Sequence, residues 1–354
     1  MPVSFPLAVS KVSADSTTLA DPMTPPRPQA PHFDPAQAAW VLSRYKDVWA
    51  ALRHPHLWPV NGKRKIQPET RDDAGRLKER AAMLDALSAS RLEAWRPRLE
   101  ALTHRALQLL PTDRSIDLLA EFALPLGLDL AMLVTGADPA DSRRLSDLGN
   151  RVFASTGEDH DPALRADAAL ATAELERTLE ASPIPMGEPT FVALSQTLPR
   201  LLASAWLALV RNPAEFAILR AHPELMPGAI EELLRYAGIV RRVFRRATAN
   251  VDLGGVRIAE GELAVLMLAS ANRDPEQFPD PDRLLLARPV AGHVSLGTGR
   301  NSCVGALLIR MAASVATGAL AAEFAEATFN TVGGWRTGSG FCFPASVYVT
   351  LRRS

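Results

Sequence analysis

The stretch 296–305, LGTGRNSCVG, constrains this chain more than any other, because it sets one cysteine, Cys303, in a loop crowded with glycine. Gly297, Gly299 and Gly305 let the backbone turn tightly and approach a flat ligand closely. Successive amide N–H groups in such a loop can point at one sulfur and stabilise a thiolate. The run that follows, ALLIRMAASVATGALAAEF, has helical periodicity, which puts Cys303 just ahead of a helix N-terminus, where negative charge is favoured. A thiolate of this kind is the axial ligand that pushes electron density onto a haem iron and promotes O–O cleavage. A cysteine on its own is more often a small buried apolar residue, so the loop takes its meaning from the rest of the C-terminal half.

Glu232 and Arg235 form an E-x-x-R within GAIEELLRY, and a spacing of three places both on one helix face. Most such pairs are solvated surface pairs. Downstream, FPDPDRLLLARP places Arg283 in a proline-punctuated loop where it can complete a Glu-Arg-Arg cluster. The order is an E-x-x-R helix, a β-rich segment (VDLGGVRIAEGELAVLML), ANRDPEQFPDPDR, and a cysteine loop that opens a helix. In these motifs and their order the chain resembles the cytochrome P450 family, the haem-thiolate monooxygenases. The match runs with few gaps over residues 193–324 and more loosely back to residue 40.

The resemblance implies a mainly α fold, a helical bundle around haem b (iron protoporphyrin IX) with small β-sheets. It implies that Cys303 is the axial iron ligand and that Glu232, Arg235 and Arg283 brace the core on the haem side. Losing one partner of such a cluster leaves a buried charge uncompensated, at roughly 3–5 kcal/mol. Arg245 in FRRATANVDL and His293 in HVSLG resemble the groups that hydrogen-bond the haem propionates. Family members also use a His and an Arg four residues apart on an early helix. Here GRLKER supplies Arg76 and Arg80, so the His position carries Arg, whose planar fork also grips carboxylates. An ordinary solvated helix arginine is an equal reading of Arg76. Leu296 stands where the family has Phe, and shields the sulfur without an aromatic face. Asn301 replaces the usual His or Arg, with Arg300 one residue earlier to make up the charge.

The 354 residues are 47% hydrophobic and 22% charged with no net charge, ample for one large α-rich domain. Neutrality argues against bulk nucleic-acid binding. No uninterrupted apolar run is long enough to span a bilayer, and no basic start with an apolar block opens the chain. The expectation is a bacterial-type cytoplasmic protein without a membrane anchor. Cys303 and Cys342 are the only cysteines, both expected reduced. Residues 1–32, rich in Pro, Ser and Thr, are expected as a disordered or draped arm, and 33–354 as a single haem domain. Two helices in SRRLSDLGNRVFAS and DPALRADAALATAELERTLEAS are expected to cover the distal pocket.

The family's central helix carries an acid followed by a threonine above the iron, a pair that delivers protons to bound oxygen through water. Alignment of ALSQTLPRLLASAWLALVRNP puts Gln196 at the acid and Thr197 at the alcohol, beside the plain reading of Thr197 as a core threonine. Pro199 removes one helical hydrogen bond and favours a kink near Ser195. Pro183, Pro185 and Pro189 forbid a regular helix through SPIPMGEPT, which leaves a half-length central helix in which Pro189 suits the first position. The segment joining the lid helices to this helix is largely missing.

Three functions follow. The first is a monooxygenase that inserts one oxygen atom from O2 into a small hydrophobic, or carrier-tethered, substrate, with electrons from a ferredoxin and its reductase. Arg96, Arg98 and Arg300 are placed to steer an acidic donor, or are general surface charge. The second is a peroxide-driven oxygenation or a redox-neutral dehydration or rearrangement, favoured by loss of the acid. The third is a non-catalytic haem-binding protein. The shortened lid region calls for cover by the 1–32 arm, by a second copy in a homodimer, or by a large substrate.

Overall fold

The structure is a computed structural model that describes residues 23–60, 73–156, 161–289, 292–338 and 340–354. In chain order the elements are β1 (His32–Asp34), β2 (Ala39–Leu42), α1 (Tyr45–Arg53), β3 (Leu57–Val60), α2 (Asp73–Ala86), α3 (Ala89–Gln108), β4 (Ser115–Asp117), α4 (Leu124–Thr135), α5 (Ser142–Ala154), α6 (Pro162–Thr178), α7 (Gly187–Val192), α8 (Leu198–Val210), α9 (Pro213–Ala221) and α10 (Met226–Ala237). Then come β5 (Val243–Ala247), β6 (Val251–Leu253), β7 (Val256–Ile258), β8 (Leu263–Leu266), α11 (Leu268–Ala271), α12 (Ala306–Glu323), β9 (Phe324–Val332), β10 (Trp335–Gly338), β11 (Phe341–Pro344) and β12 (Val347–Arg353). The fold is the expected one, mainly helical with small sheets.

A five-stranded sheet in the order β1-β2-β8-β5-β3 forms one flank, with β2 and β8 parallel and the other neighbours antiparallel. A three-stranded sheet, β4-β12-β9, and the hairpin β10-β11 form the other. The helices pack around one large apolar core, which includes Phe122, Phe191, Trp206 and Phe324. Trp206 stacks on Phe122 with ring centroids 4.9 Å apart, and its indole N–H donates to Thr317 Oγ1 of α12, so this buried polar atom is satisfied.

Two stretches, Leu118–Thr135 and Ala306–Glu323, are long and apolar enough to cross a membrane by length and composition. Both lie in the helix bundle: α4 packs on the central helix and on α3, and α12 packs on α3 and α10. Of the Pro-rich arm, residues 1–22 lie outside the described residues. Its end engages the core, with Met23 buried and the Met23 carbonyl accepting from Arg241 Nη2 at 3.0 Å.

The central helix runs from Gly187 to Val210 as α7, a wide π-type turn over Ala193–Thr197, and α8. Met186 is left-handed at φ 55° and stops the preceding chain. Helix therefore begins at Gly187, and Pro189 falls third instead of first. The irregularity expected near Ser195 takes the form of the π turn: Leu198 N–H reaches back five residues to the Ala193 carbonyl. Pro199, with no N–H, cannot donate to the Ser195 carbonyl four residues earlier.

α5 is pressed directly onto this turn. A Cβ on Gly149 would lie 3.2 Å from Ser195 Oγ and 3.3 Å from Gln196 Nε2, so the approach is close. α5 and α6 pack on one another.

Candidate active site

The cysteine loop is held from within. Cys303 N–H donates to the Leu296 carbonyl at 2.8 Å and Gly297 N–H to the Val294 carbonyl at 2.9 Å. Gly297 and Gly299 sit at φ 68° and 71°, a region costly for residues with a Cβ. Asn272 anchors the strand entering the loop: its Oδ1 accepts from Val294 N–H at 2.9 Å and its Nδ2 donates to Ser295 Oγ at 2.7 Å. Ser295 Oγ in turn donates to the Leu234 carbonyl at 2.6 Å. Sequence reasoning missed Asn272, whose only signal was its place in ANRDP.

Burial pushes the Cys303 thiol up, while the Gly305 amide and the charges of Arg80 and Arg310 pull it down, and the net shift is upward. The sulfur is thus half-buried, with an amide on it and two cations acting on it, surroundings that suit a thiolate ligand. Arg80 reaches across from α2, donating from Nη1 to the Ser302 carbonyl at 2.7 Å and from Nη2 to Ser302 Oγ at 3.0 Å. The side chain of Arg76 lies outside the described residues. Leu296 is half-buried against the main core. Asn301 is also half-buried. Arg300 donates to the Pro55 carbonyl at 2.6 Å and lies 4.7 Å over the Trp58 ring.

Arg245 on β5 is 6% exposed, yet among the described residues its Nε has no partner and its Nη1 donates to the Phe244 carbonyl at 2.9 Å. Burial holds its pKa down to about 10. In the strand register Pro59 of β3 lies opposite Arg245, and the neighbouring Trp58 carries the Arg300 guanidinium of the cysteine loop. A buried guanidinium whose Nε has no partner among the described residues suits a carboxylate, and a cysteine sulfur acted on by an amide and two arginines suits a metal; haem b offers both groups. The residues present therefore fit haem.

Two expectations need correction. Glu232 and Arg235 are both 2% exposed and paired at 2.7 Å, but the third member of the cluster is Arg288, not Arg283. Arg288 Nε donates to both Glu232 oxygens at 3.1 Å, whereas Arg283 is exposed and contributes only its carbonyl, which accepts from Arg235 Nη2 at 3.1 Å. A tight turn with Asp280 at φ 47° precedes Arg283 and sends it outward, while the chain returns at Arg288. His293 is likewise committed elsewhere. Its Nε2 lies 3.1 Å from Glu231 and its Nδ1 accepts from Ser295 N–H at 3.2 Å, so neither ring nitrogen is available to a propionate.

Glu231, the unremarked neighbour of Glu232, also takes two hydrogen bonds from Arg310, at 2.6 and 2.9 Å. Burial pushes its carboxyl up, but the hydrogen bonds from His293 and Arg310 prevail and hold it at about 2. Glu231 and Arg310 line a cleft of about 440 Å³ between α3, α10 and α12, together with Arg96 and Leu307. Arg96 is tied to Glu93 at 2.9 Å.

On the distal side Gln196 is 2% exposed, and its Oε1 accepts from Arg200 Nη1 at 3.0 Å. Thr197 is half-buried on the next position of the π turn. The hairpin β10-β11 brings Phe341 and Phe343 to within 6.3 and 5.8 Å of Phe153 of α5.

Residues 219–330 match the family model for cytochrome P450. Cytochrome P450 107B1 of Saccharopolyspora erythraea is 32% identical over 81% of this chain and 82% of its own length. Cytochrome P450-SU2 of Streptomyces griseolus is 32% identical over 86% of this chain and 90% of its own. The crystal structure of P450BioI in complex with an acyl carrier protein superposes with a TM-score of 0.81 at 21% identity, covering 89% of this chain and 92% of that one. The glycine-rich cysteine loop, the buried Glu-Arg-Arg cluster and the helical fold are those of a haem-dependent oxidoreductase. The chain belongs to the cytochrome P450 family of monooxygenases.

Proposed function

We propose that this chain is a cytoplasmic monooxygenase that inserts one oxygen atom from O2 into a small hydrophobic organic substrate, with electrons from a ferredoxin-type donor. Haem, when bound, supplies a thiolate-ligated iron at which dioxygen is reduced and split. Cys303 is its ligand, with the Gly305 amide on the sulfur. Arg80 and Arg245 hold its carboxylates, Leu296 covers the sulfur, and Asn301 lies on the propionate side of the loop. Thr197 is the group that would relay protons toward the distal face through water, and Gln196 beside it cannot ionise to share that task. The cleft beside Arg310 is where an electron donor comes within reach of the cysteine helix.

What carries this reading is the buried Arg245 guanidinium, whose Nε has no partner among the described residues, together with the amide and the two arginines that act on the Cys303 sulfur. The carbon monoxide difference spectrum of the dithionite-reduced protein tests it. A strongly red-shifted Soret band that is lost in Cys303→Ala, with weaker haem retention in Arg245→Met, is expected. A band at the position of histidine-ligated haem would overturn it.

A second reading, peroxide-driven oxygenation, is favoured by one feature: the acid position is an amide already engaged by Arg200. Turnover with NADH, ferredoxin and reductase, set against turnover with hydrogen peroxide alone, separates the two.

A further inference from the structure

Among the described residues four arginines are buried: Arg200, Arg235, Arg245 and Arg273. Arg235 has Glu232 and Arg273 has Asp282 as carboxylate partners. Arg245 is accounted for by the propionates. Arg200 has no carboxylate and no role in the reading above.

Arg200 lies on α8, one residue beyond Pro199, and is 8% exposed. Its Nη1 donates to the Gln196 carbonyl at 2.6 Å and to Gln196 Oε1 at 3.0 Å. Its Nε and Nη2 make no hydrogen bond to any described residue, which leaves free the two-donor edge that matches a planar carboxylate. The guanidinium carbon sits 4.2 Å over the Phe153 ring and 5.5 Å from the Phe343 ring. These faces stabilise a cation but do not neutralise it. The charged group that acts on Arg200 is Arg336 of β10, of the same sign, which adds to burial in holding its pKa down to about 10. Arg336 is paired across the hairpin with Phe343, the residue that also faces Arg200. Arg200 and Arg336 therefore face one aromatic corner between the central helix, α5 and the C-terminal hairpin, and no carboxylate among the described residues pairs with Arg200. An uncompensated buried cation is costly, and an anion brought in by a ligand offsets that cost.

We propose that Arg200, walled by Phe153 and Phe343, forms a subsite for the carboxylate of a hydrophobic organic acid, which the enzyme holds by that carboxylate beside the distal turn, with the field of Arg336 adding to the attraction. The phenylalanine walls accept the apolar body next to the charged end, which favours an amphiphilic acid over an inorganic anion. This deepens the monooxygenase reading and rests on it for the position of the reacting carbon.

The test uses the haem-loaded protein with decanoate, hexadecanoate and 3-phenylpropanoate, each set against its methyl ester, with affinity read by calorimetry and by the Soret spin-state shift. At least one acid should bind tenfold or more tighter than its ester. Arg200→Met should erase that preference while ester binding persists, and Arg200→Lys should retain part of it. Arg336→Met, a half-buried position on the C-terminal hairpin, should weaken acid binding and leave ester binding unchanged. Equal binding of every acid and its ester, or an unchanged preference in Arg200→Met, overturns the subsite. The reduced carbon monoxide spectrum of the same sample keeps the two readings apart. A red-shifted band without acid preference overturns the subsite alone, and loss of that band overturns the thiolate reading.

Discussion

Gly127 of α4 lies against Pro199 of the central helix so closely that a Cβ on it would fall 2.3 Å from the proline Cγ and 2.7 Å from the Leu194 carbonyl oxygen. The π turn widens the helix at this point, and α4 accepts the bulge only because position 127 has no side chain. The distal turn is thus shaped by two helices at once, Gly127 from one side and Gly149 from the other.

Gly127→Ala is therefore expected to destabilise the protein despite the better helix propensity of alanine. Overpacking of this kind costs about 1–3 kcal/mol, against the roughly 1 kcal/mol that Gly→Ala gains in an unstrained helix. Urea denaturation should show a lower midpoint with an unchanged slope. Pro199→Ala in the same chain should recover part of the loss by removing the ring carbon that clashes. A midpoint at or above wild type for Gly127→Ala would mean that α4 slides away without cost.

Arg288 and Arg283 make opposite predictions although they lie in one loop. Arg288→Ala strips a guanidinium from Glu232, whose carboxylate is 2% exposed, and should cost about 3–5 kcal/mol together with haem retention. Arg283→Ala should cost little, because the backbone carbonyl that Arg235 uses is kept. Thermal melts of the two purified variants decide the matter, and equal losses would contradict the assignment.

Glu231 sets an acid limb. Its carboxyl is held at about 2 against an ordinary 4.5, so the folded state binds this proton less readily than the unfolded chain. The stability it contributes is complete above the unfolded value and is lost as pH falls from about 4.5 toward 2. The side chain is 20% exposed, and the shift corresponds to something on the order of 3 kcal/mol. Glu231→Gln should lower the melting temperature at pH 7 and flatten its fall between pH 5 and pH 3. An acid limb as steep as wild type would assign it to other carboxylates.

What was legible in the sequence was whatever is fixed by short spacing. Cys303 among its glycines and Glu232 three residues from Arg235 are local patterns, and their geometry follows from turn and helix periodicity alone. Pro199 announced an irregular central helix because a missing N–H is a local fact. The choice of Arg288 over Arg283 was not legible, since it depends on which way a turn at Asp280 directs the chain against a distant helix. His293 went astray for the same reason: its partner, Glu231, is 62 residues away. Gly127 and Gly149 were invisible as well, because a glycine that permits close approach looks in sequence like any other helix glycine.

Gln196→Glu brings the distal features together in one substitution. Its Oε1 already lies 3.0 Å from Arg200 Nη1, so a carboxylate there gives the buried guanidinium the anion it lacks. Hydrogen bonds to charged groups contribute about 1.5–3 kcal/mol, and most of the desolvation cost of Arg200 is already present in the wild type. The variant should melt higher, not lower. It should also bind hydrophobic acids less well, because the new carboxylate competes for Arg200 and repels the ligand anion, while the corresponding methyl esters bind as before. Turnover supported by a ferredoxin should rise relative to turnover with peroxide, since an ionisable group is restored beside Thr197. The three readouts move independently. A lower melting temperature would show that Arg200 already has an anion, whereas a higher one with unchanged acid binding would separate the charge balance of the turn from recognition of the substrate.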